Sequence, residues 1–163
     1  MTPRLPLHVA VCGPGVASDE EERAAEAIGR GLAEAGAVVV CGGVSGVMDA
    51  VARGARAGGG LAVGILPGRD REDASEHLSA AVTTGMGEAR NALVVRSADA
   101  VVAIAGEHGT LSEIALALKM GIPVVGLGTW RLSRDGRPEA DPVVRVETPA
   151  EAVREALRLA SGG

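Results

Sequence analysis

Glycine, threonine and glutamate stand close together in the segment Gly106-Glu107-His108-Gly109-Thr110, which Glu113 follows three residues later. An apolar run before this segment predicts a buried strand, and an amphipathic run after it predicts a helix. In a glycine turn between strand and helix, the backbone can approach a ligand, and the free N–H groups of the first helical turn favour an anion. The segment therefore predicts a phosphate-binding turn in which His108 can contact the ligand.

Thr110 and Glu113 allow two interpretations. Thr-x-x-Glu is a capping box, in which the Glu113 side chain would accept a bond from the backbone N–H of Thr110. Alternatively, the Glu113 carboxylate lies beside the phosphate site, where it could orient a sugar or activate water. Arg90 is likewise either a solvated helix residue or, if its helix points at the turn, the cation of the pocket.

Two further glycine turns follow predicted strands, Gly13-Pro14-Gly15 and Gly42-Gly43-Val44-Ser45-Gly46. The first is close to the dinucleotide fingerprint, but the second strand ends in Cys41, where an NAD site needs an acidic residue for the ribose. The sequence thus argues against NAD and leaves a mononucleotide-like phosphate ligand or a simple tight turn. The second is either a packing turn or a second anion site with Ser45 as a donor.

Alternating strands and helices must position these turns. Strands are predicted at residues 7–12, 37–41, 61–66, 80–84, 100–104, 122–127 and 143–146. Helices are predicted at residues 18–35, 47–57, 86–98, 111–120 and 149–159. This alternation predicts a Rossmann-like α/β fold, with a mostly parallel sheet covered by helices on both faces, and we interpret residues 1–163 as a single domain. Ligands in such folds bind beyond the carboxyl ends of the strands, where the strand order reverses, and all three turns lie at that edge.

Composition narrows the function classes. The 163 residues carry a net charge of −5, and Trp130 is the only Phe, Tyr or Trp residue. Nucleic acid is an unfavourable partner because stacking platforms and excess positive charge are both missing. We expect a cytoplasmic protein without membrane segments, since no apolar run reaches spanning length and no signal peptide is recognisable.

No metal site is expected, because neither the histidines nor the cysteines have the spacing of metal ligands. Cys12 and Cys41 both stand at the ends of predicted strands. A buried cysteine there behaves as a small apolar residue, which is the interpretation we adopt for both.

Two segments resemble one known family. Residues 41–55, CGGVSGVMDAVARGA, are similar to the GGG-x-x-GLM-x-x-VA-x-GA segment of the Lonely Guy (LOG) superfamily, whose members were once described as lysine decarboxylases. Residues 105–113, AGEHGTLSE, resemble its PGG-x-GT-x-x-E motif. Residues 85–100 and 109–119 look closer still to the branch that holds the molybdenum cofactor carrier proteins.

The resemblance implies two activities. LOG enzymes cleave the N-glycosidic bond of nucleoside 5′-monophosphates and release free base and ribose 5-phosphate. Their catalytic motif Arg and motif Glu correspond to Arg90 and Glu113. The carrier relatives bind a pterin-phosphate cofactor without chemistry. The resemblance also implies a homodimer or higher homo-oligomer, for which the helix predicted at residues 86–98 offers an apolar face.

Three positions differ from the family motifs: Ala105 replaces the Pro, Glu107 replaces the second Gly, and Asn91 replaces the Lys that follows the motif Arg. A carboxylate at Glu107 costs a phosphate ligand about a few kcal/mol unless it points outward. We therefore expect a carrier-type protein that binds a phosphate-bearing nucleotide or a molybdopterin-like ligand. The alternatives are a LOG-type phosphoribohydrolase and a Rossmann-like module without a ligand.

Overall fold

Seven short strands form one sheet at the centre of the computed structural model, which describes residues 5–137 and 141–162. The strands are β1 (His8–Cys12), β2 (Val38–Cys41), β3 (Ala62–Leu66), β4 (Ala80–Thr83), β5 (Ala100–Ile104), β6 (Val124–Leu127) and β7 (Val144–Val146). Their order across the sheet is β4-β3-β2-β1-β5-β6-β7, and every pairing is parallel. The predicted Rossmann-like α/β fold is therefore confirmed.

The central strands are short runs of Val, Ala and Ile in which nearly every side chain is buried. Continuous apolar runs of this kind are typical of parallel strands that are covered on both faces, and β-branched residues pack well there. The two edge strands, β4 and β7, are only partly buried.

Five α-helices cover the two faces of the sheet. They are α1 (Asp19–Glu34), α2 (Val47–Ala57), α3 (Asn91–Arg96), α4 (His108–Lys119) and α5 (Pro149–Ala160). One core cluster joins α1, α2 and α5 to the sheet, and a second joins α3 and α4 to the opposite face. Among the described residues, no helix is long and apolar enough to cross a lipid bilayer.

The backbones of helices α1 and α2 are in direct contact. A Cβ atom added to Gly54 would lie 2.0 Å from the carbonyl oxygen of Glu26, and one added to Gly29 would lie 2.1 Å from the carbonyl oxygen of Val51. Glycine is therefore required on both helices for this close approach. The family motif glycine at position 54 thus serves the packing of the two helices.

Two predicted helices have different bounds in the structure. In place of a continuous helix over residues 86–98, residues 87–90 form a 3-10 turn and only α3 is α-helical. Gly85 and Gly87 have φ values of 63° and 57°, and this left-handed conformation interrupts a helix. Helix α4 begins at His108, three residues before its predicted start, so the segment at 108–110 is the first helical turn.

Candidate functional site

A cavity of about 220 Å³ opens at the carboxyl ends of β1 and β5. The strand order reverses between these neighbours, because β2, β3 and β4 lie on one side of β1 and β5, β6 and β7 on the other. This is the position where open α/β sheets bind ligands. Seven of the predicted site residues line the cavity: Gly13, Gly15, Gly42, Arg90, Gly109, Thr110 and Glu113.

The amino end of α4 forms one wall of the cavity. The residue before the helix, Glu107, makes no side-chain capping bond, and the first turn contains no acidic residue. The N–H of Leu111 donates to the carbonyl of Glu107 at 3.0 Å, but within the described part of the chain the N–H groups of residues 108–110 have no acceptor. Unpaired amides at the positive end of a helix favour an anion.

Helix α1 gives the contrast, because its amino end is closed. Ser18 and Glu21 form a reciprocal capping box, in which the Ser18 N–H donates to the Glu21 carboxylate at 2.8 Å. The first turn of α1 also carries four acidic residues. The helix after β1 is thus supplied with its own negative charge, whereas the helix after β5 is not.

A tight bend between β5 and α4 directs the helix toward the cavity. Ala105 has φ 44°, and Gly106 follows with φ 100°. The Ala105 N–H donates to the Leu127 carbonyl at 3.1 Å, and the Thr129 hydroxyl donates to the Ala105 carbonyl. A Cβ at Gly106 would lie 2.3 Å from Oγ1 of Thr110, so this glycine serves the bend and does not line the cavity.

Arg90, at the end of the 3-10 turn, supplies the positive charge of the cavity. Its Nη1 donates to Oδ1 of Asn91, and its Nη2 lies 3.9 Å from the sulfur of Met48. Its Nε is buried and has no hydrogen-bond partner. A Cβ at Gly42 would lie 2.7 Å from Nη2, so glycine at that position makes room for the guanidinium. A charged group with an unpaired buried donor is stabilised by an anion beside it.

Glu113 lies in the cavity wall, with only 7% of its surface exposed. Burial raises the pKa of its carboxyl from 4.5 to about 7, although the Cys12 thiol and the positive charge of Arg90 both favour the ionised form. The carboxyl therefore titrates near neutral pH. The capping-box interpretation of this residue is wrong, because the Thr110 N–H has no acceptor among the described residues and α4 begins upstream.

Cys12, at the end of β1, is a cavity residue that sequence reasoning missed. Burial raises the pKa of its thiol well above the ordinary value, and the neighbouring Glu113 raises it further. The thiol is therefore protonated at neutral pH and acts as a weak donor to the carboxylate. Cys41 is a core residue, as predicted, and burial raises the pKa of its thiol to about 12.

Met48 and Asn91 also line the cavity and were not predicted for it. Both stand within or beside the family motifs, and Asn91 directly follows the motif Arg. Position next to Arg90 was the available signal for Asn91. Nothing in the type of Met48 distinguishes it from a core residue, because an apolar residue at helical spacing is most often a packing residue.

Three residues of the turn after β2 are not brought into the cavity. Gly43 packs toward β3, where an added Cβ would lie 2.9 Å from Cα of Gly64. The Ser45 hydroxyl donates to the Gly15 carbonyl at 2.9 Å, which ties the first and second glycine turns together. Gly46 has φ 60°, and an added Cβ would overlap the backbone of the first turn. Their contacts position the loops that form the cavity.

His108 lies outside the cavity, exposed at the start of α4. Its ring centroid is 5.8 Å from that of Trp130, at an interplanar angle of 42°. The indole Nε1 of Trp130 donates to the Glu107 carbonyl at 3.1 Å. Glu107 itself is exposed and is one of the residues that line the cavity. No group of three His, Cys, Asp or Glu within the described ranges is placed to hold a metal ion.

Comparison with known sequences identifies relatives over nearly the whole chain. The sequence model of the SLOG cluster4 family matches residues 6–153. A protein of Archaeoglobus fulgidus is 40% identical over 148 residues, which covers 90% of this chain and 92% of that protein. A rice protein, named probable cytokinin riboside 5′-monophosphate phosphoribohydrolase LOGL5, is 38% identical over 94 residues, which covers 56% of this chain and 38% of the rice protein.

Solved structures with the same fold include two proteins that are named for the molybdenum cofactor. The molybdenum cofactor binding protein from the phototrophic bacterium Rippkaea orientalis superposes with a TM-score of 0.85 at 33% identity, covering 96% of this chain and 98% of that one. The molybdenum cofactor carrier protein from Chlamydomonas reinhardtii superposes with a TM-score of 0.84 at 31% identity, covering 96% and 99%.

Proposed function

The chain belongs to the SLOG cluster4 family, within the LOG superfamily and close to its molybdenum cofactor carrier branch, and we propose that it binds a phosphate-bearing nucleotide or molybdopterin-like ligand as a carrier-type protein. One observation carries the proposal. Gly109 and Thr110, whose backbone N–H groups are unpaired, and Arg90, whose Nε is unpaired, line the same cavity. Both are donors without an acceptor, and a phosphate supplies acceptor oxygens and negative charge together.

The residues present fit the phosphate of a pterin-type cargo as well as that of a nucleotide. Gly109 and Thr110 would hold the phosphate through backbone N–H groups, and Arg90 would neutralise it. Gly42 makes room for the guanidinium, since an added Cβ there would lie 2.7 Å from Nη2 of Arg90, and an added Cβ at Gly109 would meet no atom within 4 Å. These groups recognise only the phosphate, so other residues of the protein must recognise the rest of the ligand.

A matched pair of variants at Gly109 tests how much its backbone N–H contributes to phosphate binding. A Cβ at this position meets no atom within 4 Å, so Gly109→Ala is accommodated and keeps the N–H. Gly109→Pro lies in the first helical turn, where proline is tolerated, and removes the N–H. In calorimetric titrations with ribose 5-phosphate and AMP, we expect Gly109→Pro to bind about tenfold more weakly than Gly109→Ala. Equal affinities of the two variants would contradict anion binding by this amide.

A second candidate function is hydrolysis of nucleoside 5′-monophosphates to free base and ribose 5-phosphate. The observation that favours it is Glu113, a carboxyl with a pKa of about 7 in the wall of the cavity that contains Arg90. The similar rice protein is named as such a phosphoribohydrolase. A carboxylate at this position could orient the attacking water and stabilise the oxocarbenium-like sugar as the N-glycosidic bond breaks. The proton that the water loses would go to the departing base.

Incubation with AMP and the other nucleoside 5′-monophosphates, followed by chromatography for free base, separates the two functions. The enzyme hypothesis predicts base release that is abolished by Glu113→Gln and Arg90→Ala. The carrier hypothesis predicts that these nucleotides bind and are recovered intact. A chain without a ligand, the third interpretation, predicts neither heat of binding nor base release.

A further inference from the structure

A second cavity of about 240 Å³ adjoins the first, along the same edge of the sheet. Both cavities have Pro14 and Glu107 in their walls, so they lie side by side at this edge of the sheet. The first cavity is smaller than the roughly 300–1,000 Å³ of typical small-molecule sites. A nucleotide or pterin phosphate held by its phosphate therefore extends beyond it.

The wall of the second cavity contains Trp130, the only Phe, Tyr or Trp residue of the chain. The indole is half-buried and packs against the core cluster of α3 and α4. Its N–H donates to the carbonyl of Glu107, the residue that precedes the α4 amides. The ring is thus fixed to the same backbone segment that carries the anion site.

Trp130 packs on the core and also lines the second cavity. The buried residues of both core clusters are aliphatic residues and cysteine, and the single large ring lies at the cavity wall. Trp130 is therefore the only Phe, Tyr or Trp side chain of the sequence that could stack on the ring of a ligand. Flat heteroaromatic rings stack on indole faces with favourable energy and little dependence on the exact substituents.

We propose that the second cavity holds the flat, fused heteroaromatic ring of the ligand whose phosphate is bound by the first cavity, with Trp130 as its platform. This inference rests on the proposed function, since it requires the phosphate to be bound at Gly109 and Thr110. A purine and a pterin share this ring chemistry. Pro14 and Glu107, common to both cavities, flank the linker between ring and phosphate.

Fluorescence provides a direct test, because Trp130 is the only tryptophan and the chain has no tyrosine. Titration with AMP is expected to quench or shift the tryptophan emission, whereas ribose 5-phosphate, which lacks the ring, leaves the emission near its starting value. Calorimetry on the same samples is expected to give an affinity for AMP or for neopterin monophosphate about tenfold higher than for ribose 5-phosphate. Whichever of these ligands shows that gain identifies the ring as purine or pterin.

Two substitutions separate stacking from bulk. Trp130→Leu is expected to bind the ring-bearing ligand about tenfold more weakly than Trp130→Phe, whereas the two variants, which both lack the indole N–H, should bind ribose 5-phosphate equally. If ribose 5-phosphate binds but neither ring-bearing ligand binds more tightly, or if Trp130→Leu weakens all three equally, the ring platform is refuted and the phosphate site stands. If none of the three ligands binds the wild-type protein, the proposed function fails and the ring platform fails with it.

Discussion

Nη2 of Arg90 lies 3.9 Å from the thioether sulfur of Met48, and among the described residues no carboxylate forms an ion pair with that guanidinium. Arg53 behaves differently, since it pairs with Asp49 at 3.1 Å and with Glu26 at 3.2 Å. The arginine on the helix surface thus has direct ion-pair partners, and the arginine in the cavity has none. A guanidinium is always charged in proteins, and Glu113, the carboxyl that interacts electrostatically with Arg90, is only partly ionised near pH 7, so an anionic ligand can complete the neutralisation of Arg90.

Replacing Arg90 tests this relationship. Arg90→Met removes the charge and keeps an unbranched apolar side chain, and we expect affinity for ribose 5-phosphate or AMP to fall by about 10- to 100-fold because a charge-assisted hydrogen bond is lost. The matched control is Arg96→Met, in which an exposed arginine at the end of α3 is replaced. Isothermal titration measures both. Equal losses in the two variants would indicate a general charge effect and contradict a specific role.

Glu113 is expected to make the protein less stable as the pH rises. Its pKa is higher in the folded protein, about 7, than its ordinary value of 4.5, because burial disfavours the ionised form. The folded state therefore binds the proton more tightly, and this contribution is fully present below pH 4.5 and lost as the pH rises to about 7. The full shift corresponds to about 3 kcal/mol.

Urea unfolding at pH 5 and pH 8 measures this effect. Glu113→Gln, which cannot ionise, is expected to be more stable than wild type at pH 8 by about 2 kcal/mol and to differ little at pH 5. Glu88→Gln, which replaces an exposed carboxylate, serves as the control. A Glu113→Gln variant that is destabilised equally at both pH values would mean that the carboxylate is stabilised in the folded protein.

Ionisation of Glu113 is also expected to control ligand binding. Above pH 7 the ionised Glu113 places a negative charge near the phosphate, so affinity for ribose 5-phosphate should fall between pH 7 and pH 8.5, where the phosphate itself remains a dianion. In Glu113→Gln the affinity should stay constant over that range. Calorimetry at three pH values in buffers of matched ionic strength gives the comparison. A decline that persists in the variant would have to arise from another group.

Short-range sequence patterns could locate the site but not assign the role of each residue. Thr110 and Glu113 fit both a capping box and a ligand site, because Thr-x-x-Glu serves either purpose. The decision lies in where α4 begins. The helix starts at His108, which leaves the Thr110 N–H in the uncapped first turn and places Glu113 one turn further, in the cavity. That start depends on the bend at Ala105. Alanine rarely adopts the left-handed conformation that it has there, so the sequence gives no signal for the bend.

The glycines of the turn after β2 give a second example of roles that the sequence could not assign. Gly42 and Gly43 are neighbours in one motif, but Gly42 borders the Arg90 guanidinium and Gly43 packs on Gly64 of β3. Successive residues at the end of a strand face opposite sides, and only the order of the strands decides which side is the cavity. The sequence predicts strands and helices from periodicity, whereas the strand order arises from long-range pairing of β1 with β5.

Close packing of α1 on α2 predicts that Gly54 cannot be replaced without a large loss of stability. The Cβ of Gly54→Ala would lie 2.0 Å from the carbonyl oxygen of Glu26, which is backbone and cannot turn away. The helices must separate, and we expect unfolding free energy to fall by about 3 kcal/mol. Gly68→Ala, where an added Cβ meets no atom within 4 Å, is the control and should change stability by less than about 0.5 kcal/mol. Chemical denaturation compares them, and similar values for both would contradict this packing.

Ala105 stands where the related motif has proline, and the bend predicts that proline is not accepted here. Ala105 has φ 44°, whereas proline is fixed near −65°, and the Ala105 N–H donates to the Leu127 carbonyl. Ala105→Pro is therefore expected to lower the free energy of unfolding by about 3 kcal/mol or more. Ala105→Gly relieves about 1 kcal/mol of left-handed strain but increases the entropy of the unfolded chain by a similar amount, so its stability should remain within about 0.5 kcal/mol of wild type. Thermal and urea unfolding of the three proteins provide the measurement. An Ala105→Pro variant as stable as wild type would mean that the backbone leaves β5 with a negative φ, and the uncapped amides of α4 would then no longer face the cavity.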